Sequence, residues 1–176
     1  MTLRKDVDLK VVIFDRGDTL EHEDVLLPGA IDMLTAVAAM KDADGHRVVM
    51  GLVSDFGKAA DTAEIARLRK EYCDGLRSLG IAAFFAPLRK RVTLSSDLLD
   101  PAFAKPHESI FRAALDKIGP AIPFARALFI TETLAHIQAV RAFGMAGIHF
   151  KGPGQAAGDV AHLADLPAKI REWLAL

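Results

Sequence analysis

Two rhythms of apolar and polar residues alternate along this chain. Short continuous apolar runs at 10–15, 47–53, 91–95, 127–131 and 146–150 read as strands, and the stretches between them have helical spacing. Val11, Val12, Ile13 and Phe14 are β-branched or aromatic with no polar interruption, the pattern of a strand buried on both faces of a parallel sheet. Pro28 then opens LLPGAIDMLTAVAAM, where Ile31, Leu34, Val37 and Ala38 predict one helical face that ends before Gly45. Residues 58–79 predict a long helix with Ile65, Leu68, Tyr72, Leu76 and Leu79 on one side, charges on the other, and Cys73 packed inside. Pro106 predicts the first residue of a helix carrying Ile110, Phe111, Ala114, Leu115 and Ile118, which Gly119-Pro120 stops. A turn at 152–154 precedes a last helix over about 159–174, with Trp173 sealing the core. Strands alternating with helices predict βαβ units, hence an α/β fold of three layers with a parallel sheet between helices on both faces.

Composition narrows the class. A length of 176 residues with 51% hydrophobic content suits a single domain over 1–176. The 22 basic and 23 acidic residues nearly cancel, which gives no electrostatic reason to expect nucleic acid or an anionic membrane as partner. Arg89-Lys90-Arg91 is the one basic triplet, and it reads as a solvated lead into a strand. Cys73 is the only cysteine, so an internal disulfide is excluded and a reducing, cytoplasmic setting is expected. The first ten residues, MTLRKDVDLK, lack the apolar core of a signal peptide, and no apolar run approaches the ~20 residues of a membrane span. The oligomeric state is left open by these features.

Open parallel sheets bind ligands outside the carboxyl ends of their strands, so polar residues at those ends carry the chemistry. Asp15 follows the first strand, VVMGLV runs into Ser54-Asp55, Lys105 in FAKPHESIF stands just before a helix, and ALFIT is followed by Glu132 with His136 one turn on. A lone Asp or Gly after a strand is an ordinary turn former. Four junctions that supply an Asp, a Ser, a Lys and a Glu are a different matter, because adjacent strands would bring them to one crevice.

With FDRGDTL, LVSD, AKPHESIF and ITETLAHIQAVRAFGM in this order, the chain resembles the haloacid dehalogenase (HAD) superfamily, whose members are mostly magnesium-dependent phosphatases. The resemblance covers most of the chain and implies a Rossmann-like, HAD-like core. It implies Asp15 as nucleophile, Ser54 and the amide of Asp55 as phosphate binders, and Lys105 as the fixed cation. Asp15, the Gly17 carbonyl and Glu132 would hold Mg2+. The residue types suit phosphoryl transfer, since a carboxylate approaching a phosphate ester brings two anions together, at a cost of about 4 kcal/mol per unit pair at ~4 Å and intermediate dielectric. Cations must offset that repulsion.

Several residues depart from the family pattern. Gly17 stands where the phosphatases usually carry a second Asp that protonates the leaving group, and Asp18 belongs to a position that points elsewhere. Glu132 replaces an Asp, and His136 replaces a second acid. His136, four residues on along a helix, could hydrogen-bond Glu132 or a metal-bound water. His22, in the EHED segment, could donate the missing proton. His107, beside Lys105 at a helix start, reads as a cap-region residue.

Between Asp15 and Ser54 one helix and one strand leave only 21–27, room for a flap. The segment 55–104 holds a long helix and loops, again too short for a full cap domain. Capless members of the superfamily take large phosphorylated substrates or a partner that closes the open site. The sequence thus predicts a Mg-dependent phosphoric monoester hydrolase weakened at Gly17. The alternatives are a catalytically impaired binding or regulatory protein of the same fold, and a dehalogenase-type hydrolase that needs neither second Asp nor metal.

Overall fold

The computed structural model describes residues 9–175; residues 1–8, most of the segment read above for a signal peptide, lie outside them. In chain order the elements are β1 (Val11–Phe14), β2 (Glu21–His22), β3 (Val25–Leu26), α1 (Ala30–Ala38), β4 (Val49–Ser54), α2 (Thr62–Ser78) and a one-turn α3 (Leu88–Arg91). They continue as β5 (Val92–Leu94), α4 (Glu108–Ile118), β6 (Ala127–Thr131), α5 (Leu134–Ala142), β7 (Ala146–His149) and α6 (Leu166–Leu174). Five strands form one parallel sheet in the order β5-β4-β1-β6-β7.

The predicted two-sided burial of β1 is present: all four of its residues are fully buried. Val12 and Phe14 face a core closed by α1, α2 and α6, while Val11 and Ile13 face the core beneath α4 and α5. Phe14 pairs with Leu52 of β4 on one side and Ile130 of β6 on the other. That register sets the carboxyl ends of the three central strands level, so Asp15, Ser54 and Glu132 emerge on one edge. No helix among the described residues is long and apolar enough to cross a membrane.

Several predicted boundaries shift, each for a local reason. Helix α1 starts at Ala30 and not at Pro28, because Gly29 between them has a left-handed backbone (φ 82°) that a right-handed helix cannot include. Its inner face is Ala30, Met33, Leu34 and Val37, whereas Ile31 is exposed. Helix α2 begins four residues later than predicted, at a cap in which Asp61 accepts from the Glu64 amide (2.8 Å) and Glu64 accepts from the Ala60 amide (2.9 Å). Cys73 is buried in this helix, as expected. Helix α4 starts at Glu108, with His107 extended at its N-cap and Pro106 outside it. Arg91 ends a helical turn instead of opening β5.

The last helix is much shorter than expected. Asp159 is held against the end of β7: its amide donates to the His149 carbonyl (2.7 Å), and its carboxylate accepts from the His149 amide (2.9 Å). An extended link therefore runs through Val160, and α6 begins only at Leu166, with Pro167 in its first turn. Leu174 and Ile170 seal this side of the core. Trp173 is only partly buried, and its ring lies under the Lys10 ammonium at 4.7 Å.

Candidate active site

Asp15 sits at the bottom of the crevice formed where β1 lies between β4 and β6. Its amide still pairs with the Ile130 carbonyl (2.9 Å), so the strand geometry holds the residue in place. One carboxylate oxygen, Oδ1, accepts from the Arg16 amide (2.8 Å). The other, Oδ2, accepts from the Thr131 hydroxyl (3.0 Å) and is in short contact with the Lys105 ammonium. Both side chains of this ion pair are at least nine-tenths buried. Burial pushes the Asp15 carboxyl above its ordinary range, and the Lys105 ammonium pulls against it without fully offsetting it.

Lys105 is fixed at both ends. Its backbone amide donates to Asp55 Oδ1 (3.0 Å), so the β4 exit loop and the segment before α4 are fastened together over the nucleophile candidate. Ser54, the last residue of β4, is buried, and its hydroxyl meets the Tyr72 hydroxyl at 2.7 Å. Tyr72 lies under the Arg16 guanidinium at 5.1 Å. Burial raises the proton affinity of the Tyr72 phenol, so it stays protonated, and either hydroxyl can donate to the other.

Glu132 is surrounded by threonines. Oε2 accepts from Thr19 (2.7 Å) and Thr131 (3.1 Å), and Oε1 accepts from Thr133 (2.7 Å). Burial acts to raise its pKa, but the hydroxyls of Thr133, Thr19 and Thr131 outweigh this and hold the group below the ordinary range, hence ionised. Its carbonyl accepts from His149 Nε2 (2.9 Å) and Gln155 Nε2 (2.8 Å), which makes the loop after β7 a further wall. Gly152 in that loop lies so close that a Cβ there would stand 2.8 Å from the Glu132 Cβ.

The two histidine expectations fare differently. His136 does not hydrogen-bond Glu132, whose carboxylate accepts from three threonine hydroxyls instead. Its Nδ1 is buried with no partner among the described residues. Burial, with the Lys105 ammonium acting the same way, lowers its pKa. The folded state therefore favours neutral imidazole, and the stability this contributes is present above the unfolded value of about 6.5. It is lost as pH falls through the lower folded value. His136→Asn is expected to lose less stability than wild type over that acidic window, as read from urea midpoints against pH.

His22 lies on the hairpin formed by β2 and β3, which pair antiparallel over 21–26 in the segment read as a flap. Glu23 and Asp24 at its tip both have positive φ (50° and 61°), as a two-residue hairpin turn of this hand requires. Arg16 anchors the hairpin through Glu21 (3.3 Å) and Asp24 (3.0 Å). His22 Nδ1 meets Asp18 Oδ1 at 2.5 Å on the exposed face, and that bond raises the histidine's pKa. Asp18 is thus turned toward the flap, with a left-handed backbone (φ 54°). A Cβ at Gly17 would meet nothing within 4 Å, so the place of a second acid is open space. His107 caps α4 without a side-chain bond.

Asp15, Lys105, Ser54, Asp55 and Glu132 therefore gather at one edge of the sheet. Thr131, Thr19, Tyr72 and Arg16, which tie them together, went unread in the sequence. Thr131 lies inside an apolar strand pattern and Tyr72 on an apolar helix face, where only their hydroxyls and neighbours reveal a second part.

No family model matches the sequence, and no curated protein matches it. Solved structures do resemble it in three dimensions. A HAD-superfamily hydrolase of subfamily IA, variant 1, from Geobacter sulfurreducens superposes with TM-score 0.59 at 12% identity, covering 93% of this chain and 97% of that one. A HAD family hydrolase from Deinococcus radiodurans with bound phosphate and sodium gives TM-score 0.59 at 13% identity over 97% and 99%. The D,D-heptose 1.7-bisphosphate phosphatase from B. bronchiseptica, complexed with magnesium and phosphate, gives 0.56 at 17% over 93% and 99%. At these identities the likeness shows the fold.

Proposed function

Because the chain has the haloacid dehalogenase fold, we propose that it is a phosphoric monoester hydrolase that attacks phosphorus with Asp15. The observation that supports this most is the buried Asp15–Lys105 pair at the carboxyl end of β1. An ammonium held there offsets the repulsion between a carboxylate nucleophile and an incoming dianion. In the first step Asp15 forms an oxygen–phosphorus bond, the ester oxygen leaves with its electron pair, and Asp15 carries the phosphoryl group. Water then attacks that phosphorus and frees Asp15. Ser54 and the amide of Asp55 would hold the phosphoryl oxygens.

The donor set suits Mg2+. Asp15 and Glu132 share the Thr131 hydroxyl, and the Gly17 carbonyl accepts no hydrogen bond among the described residues, so three hard oxygen donors come from adjoining strand ends. When bound there, the ion would neutralise charge accumulating between nucleophile and phosphate. The substrate is a phosphorylated compound, and the buried, unpaired Cys73 suits a reducing cytoplasm as its setting.

Turnover of p-nitrophenyl phosphate that appears with magnesium and vanishes with a chelator tests the reading. Capture of a protein adduct one phosphoryl group heavier tests the covalent step. Lys105→Met is expected to lower kcat by about 10²–10³-fold, the scale for removing one preorganised charge-stabilising donor. Equal kcat in the two proteins would remove Lys105 from the mechanism.

One observation favours the second reading, a binding or regulatory protein of the same fold: no carboxylate occupies position 17, and Asp18 is engaged by His22. Magnesium-independent phosphate binding without turnover would establish it. The same glycine is compatible with a dehalogenase-type hydrolase, which metal-free chloride release from a 2-haloacid would reveal.

A further inference from the structure

Beside the phosphoryl site lies a cavity of about 590 Å³, and its walls belong to the same two loops that position the site. Asp55 and Ala104 line it, each adjacent in sequence to a proposed site residue, Ser54 and Lys105. The Lys105 amide bonds Asp55, and the Lys105 ammonium bonds Asp15, so a single residue links the cavity's lining to the nucleophile candidate. The cavity is also built in advance of any ligand. The Phe56 amide donates to Ser95 Oγ (3.1 Å), which fastens the loop after β4 to the end of β5. Phe56 in turn packs edge-on against Tyr72 at 5.1 Å.

The far side of this cavity is apolar. Phe103 forms its buried floor, while Leu98 and Leu99 stand 51% and 53% exposed at its rim. Two adjacent leucines left half in water on one loop are a standing hydrophobic cost that a ligand would relieve. The same exposure recurs around the crevice. Four of the five large exposed apolar residues among the described residues, Val25, Leu98, Leu99 and Leu134, lie on segments that follow carboxyl ends of sheet strands. The charges at the cavity are unbalanced: Asp55 and Asp100 against Lys58 leave a net negative surface. A second anionic group on the ligand would meet repulsion there.

We propose that this cavity is the leaving-group subsite, and that the substrates are phosphate monoesters of neutral, largely apolar alcohols, as opposed to sugar phosphates or bisphosphates. The assignment rests on the phosphohydrolase reading above. It gives the open crevice a specificity element without a cap domain, because the loop over 98–104 supplies the wall a cap would otherwise provide. A cavity of this volume holds a drug-sized group and binds mainly through apolar contact.

Phosphonates, which cannot be hydrolysed, separate binding from chemistry. Calorimetric titration of the whole chain with methyl-, butyl- and hexylphosphonate in magnesium is expected to show affinity rising with chain length. Full burial of a methylene supplies about fourfold, so at least tenfold between methyl and hexyl is expected in a partly open cavity. Leu98→Ser and Leu99→Ser, both at half-exposed positions where folding is little threatened, are expected to collapse that ratio. A bisphosphonate of similar length is expected to bind more weakly than hexylphosphonate.

Equal affinity across the series would overturn the subsite while the phosphoryl site stood. A tighter bisphosphonate, or a ratio unchanged in both leucine variants, would also overturn it. Hexanol binding as tightly as hexylphosphonate would separate the cavity from any phosphoryl site and sink the proposal. No phosphonate binding at all would remove the phosphohydrolase reading and this inference with it.

Discussion

Asp15→Asn is expected to reduce turnover of p-nitrophenyl phosphate by on the order of 10³-fold or more, the scale on which loss of a nucleophile acts. The amide keeps the shape of the carboxylate: its oxygen can still accept from the Arg16 amide, while its NH2 takes the place of the oxygen that accepted from the Thr131 hydroxyl and can donate to that hydroxyl instead. It removes the charge that attacks phosphorus. It also leaves the Lys105 ammonium, 5% exposed, facing a neutral group. Breaking a buried pair in this way costs about 3–5 kcal/mol, so lost activity could reflect lost structure. Asp15→Asn combined with Lys105→Met removes both charges and is expected to recover much of the stability without any activity. A double variant with a wild-type melting temperature and no turnover assigns the loss to chemistry. Wild-type turnover in a folded Asp15→Asn protein would exclude Asp15 as nucleophile.

Why the strand ends could be read in advance, while their supports could not, follows from the geometry. Asp15, Ser54 and Glu132 each interrupt or end an apolar strand, a contrast visible in one dimension, and the level register of β1, β4 and β6 brings them together. Lys105 stands in a loop 90 residues from Asp15, yet it too is marked by its place before α4. Thr131 is the opposite case. As the last residue of ALFIT it continues a fully buried strand, and nothing local shows that its hydroxyl reaches two carboxylates. His136 has the right helical spacing from Glu132, but that carboxylate bonds three threonines from separate positions and not the histidine. Spacing along a helix reports which residues share a face, and competition for a partner depends on the whole site.

The fold shows the same division. Strand β6 matches its predicted span because ALFIT is fully buried, apolar up to its last residue and bounded by Arg126 and Glu132. Helix α2 starts later than its apolar spacing predicts, although the sequence carries a signal for its true start in Asp61-x-x-Glu64, the spacing of an N-terminal cap. The start of α6 carried none that could be read alone: Asp159 is drawn out of helical conformation by bonds to His149, on another element. Local chemistry placed the elements, and tertiary hydrogen bonds trimmed them.

Gly17→Asp should raise turnover of phosphate esters with poor leaving groups by about 10²–10⁴-fold, the contribution of a positioned general acid and base. The backbone permits the change, because Gly17 has no left-handed φ and a Cβ there would approach nothing within 4 Å. Asp18 cannot serve in its stead while its carboxylate is held by His22 on the outer face of the flap. The gain should depend on the alcohol. An alkoxide leaving group needs a proton as the ester bond breaks, whereas p-nitrophenolate leaves without one, so hexyl phosphate is expected to gain far more than p-nitrophenyl phosphate. The effect is read as the slope of log kcat against leaving-group pKa, which should flatten in the variant. A steep slope in both proteins would mean that the new carboxylate does not reach the ester oxygen. A shallow slope already in the wild type would mean that another group donates the proton. His22, whose pKa is raised by Asp18, is then the residue to replace next, and His22→Gln should steepen that slope.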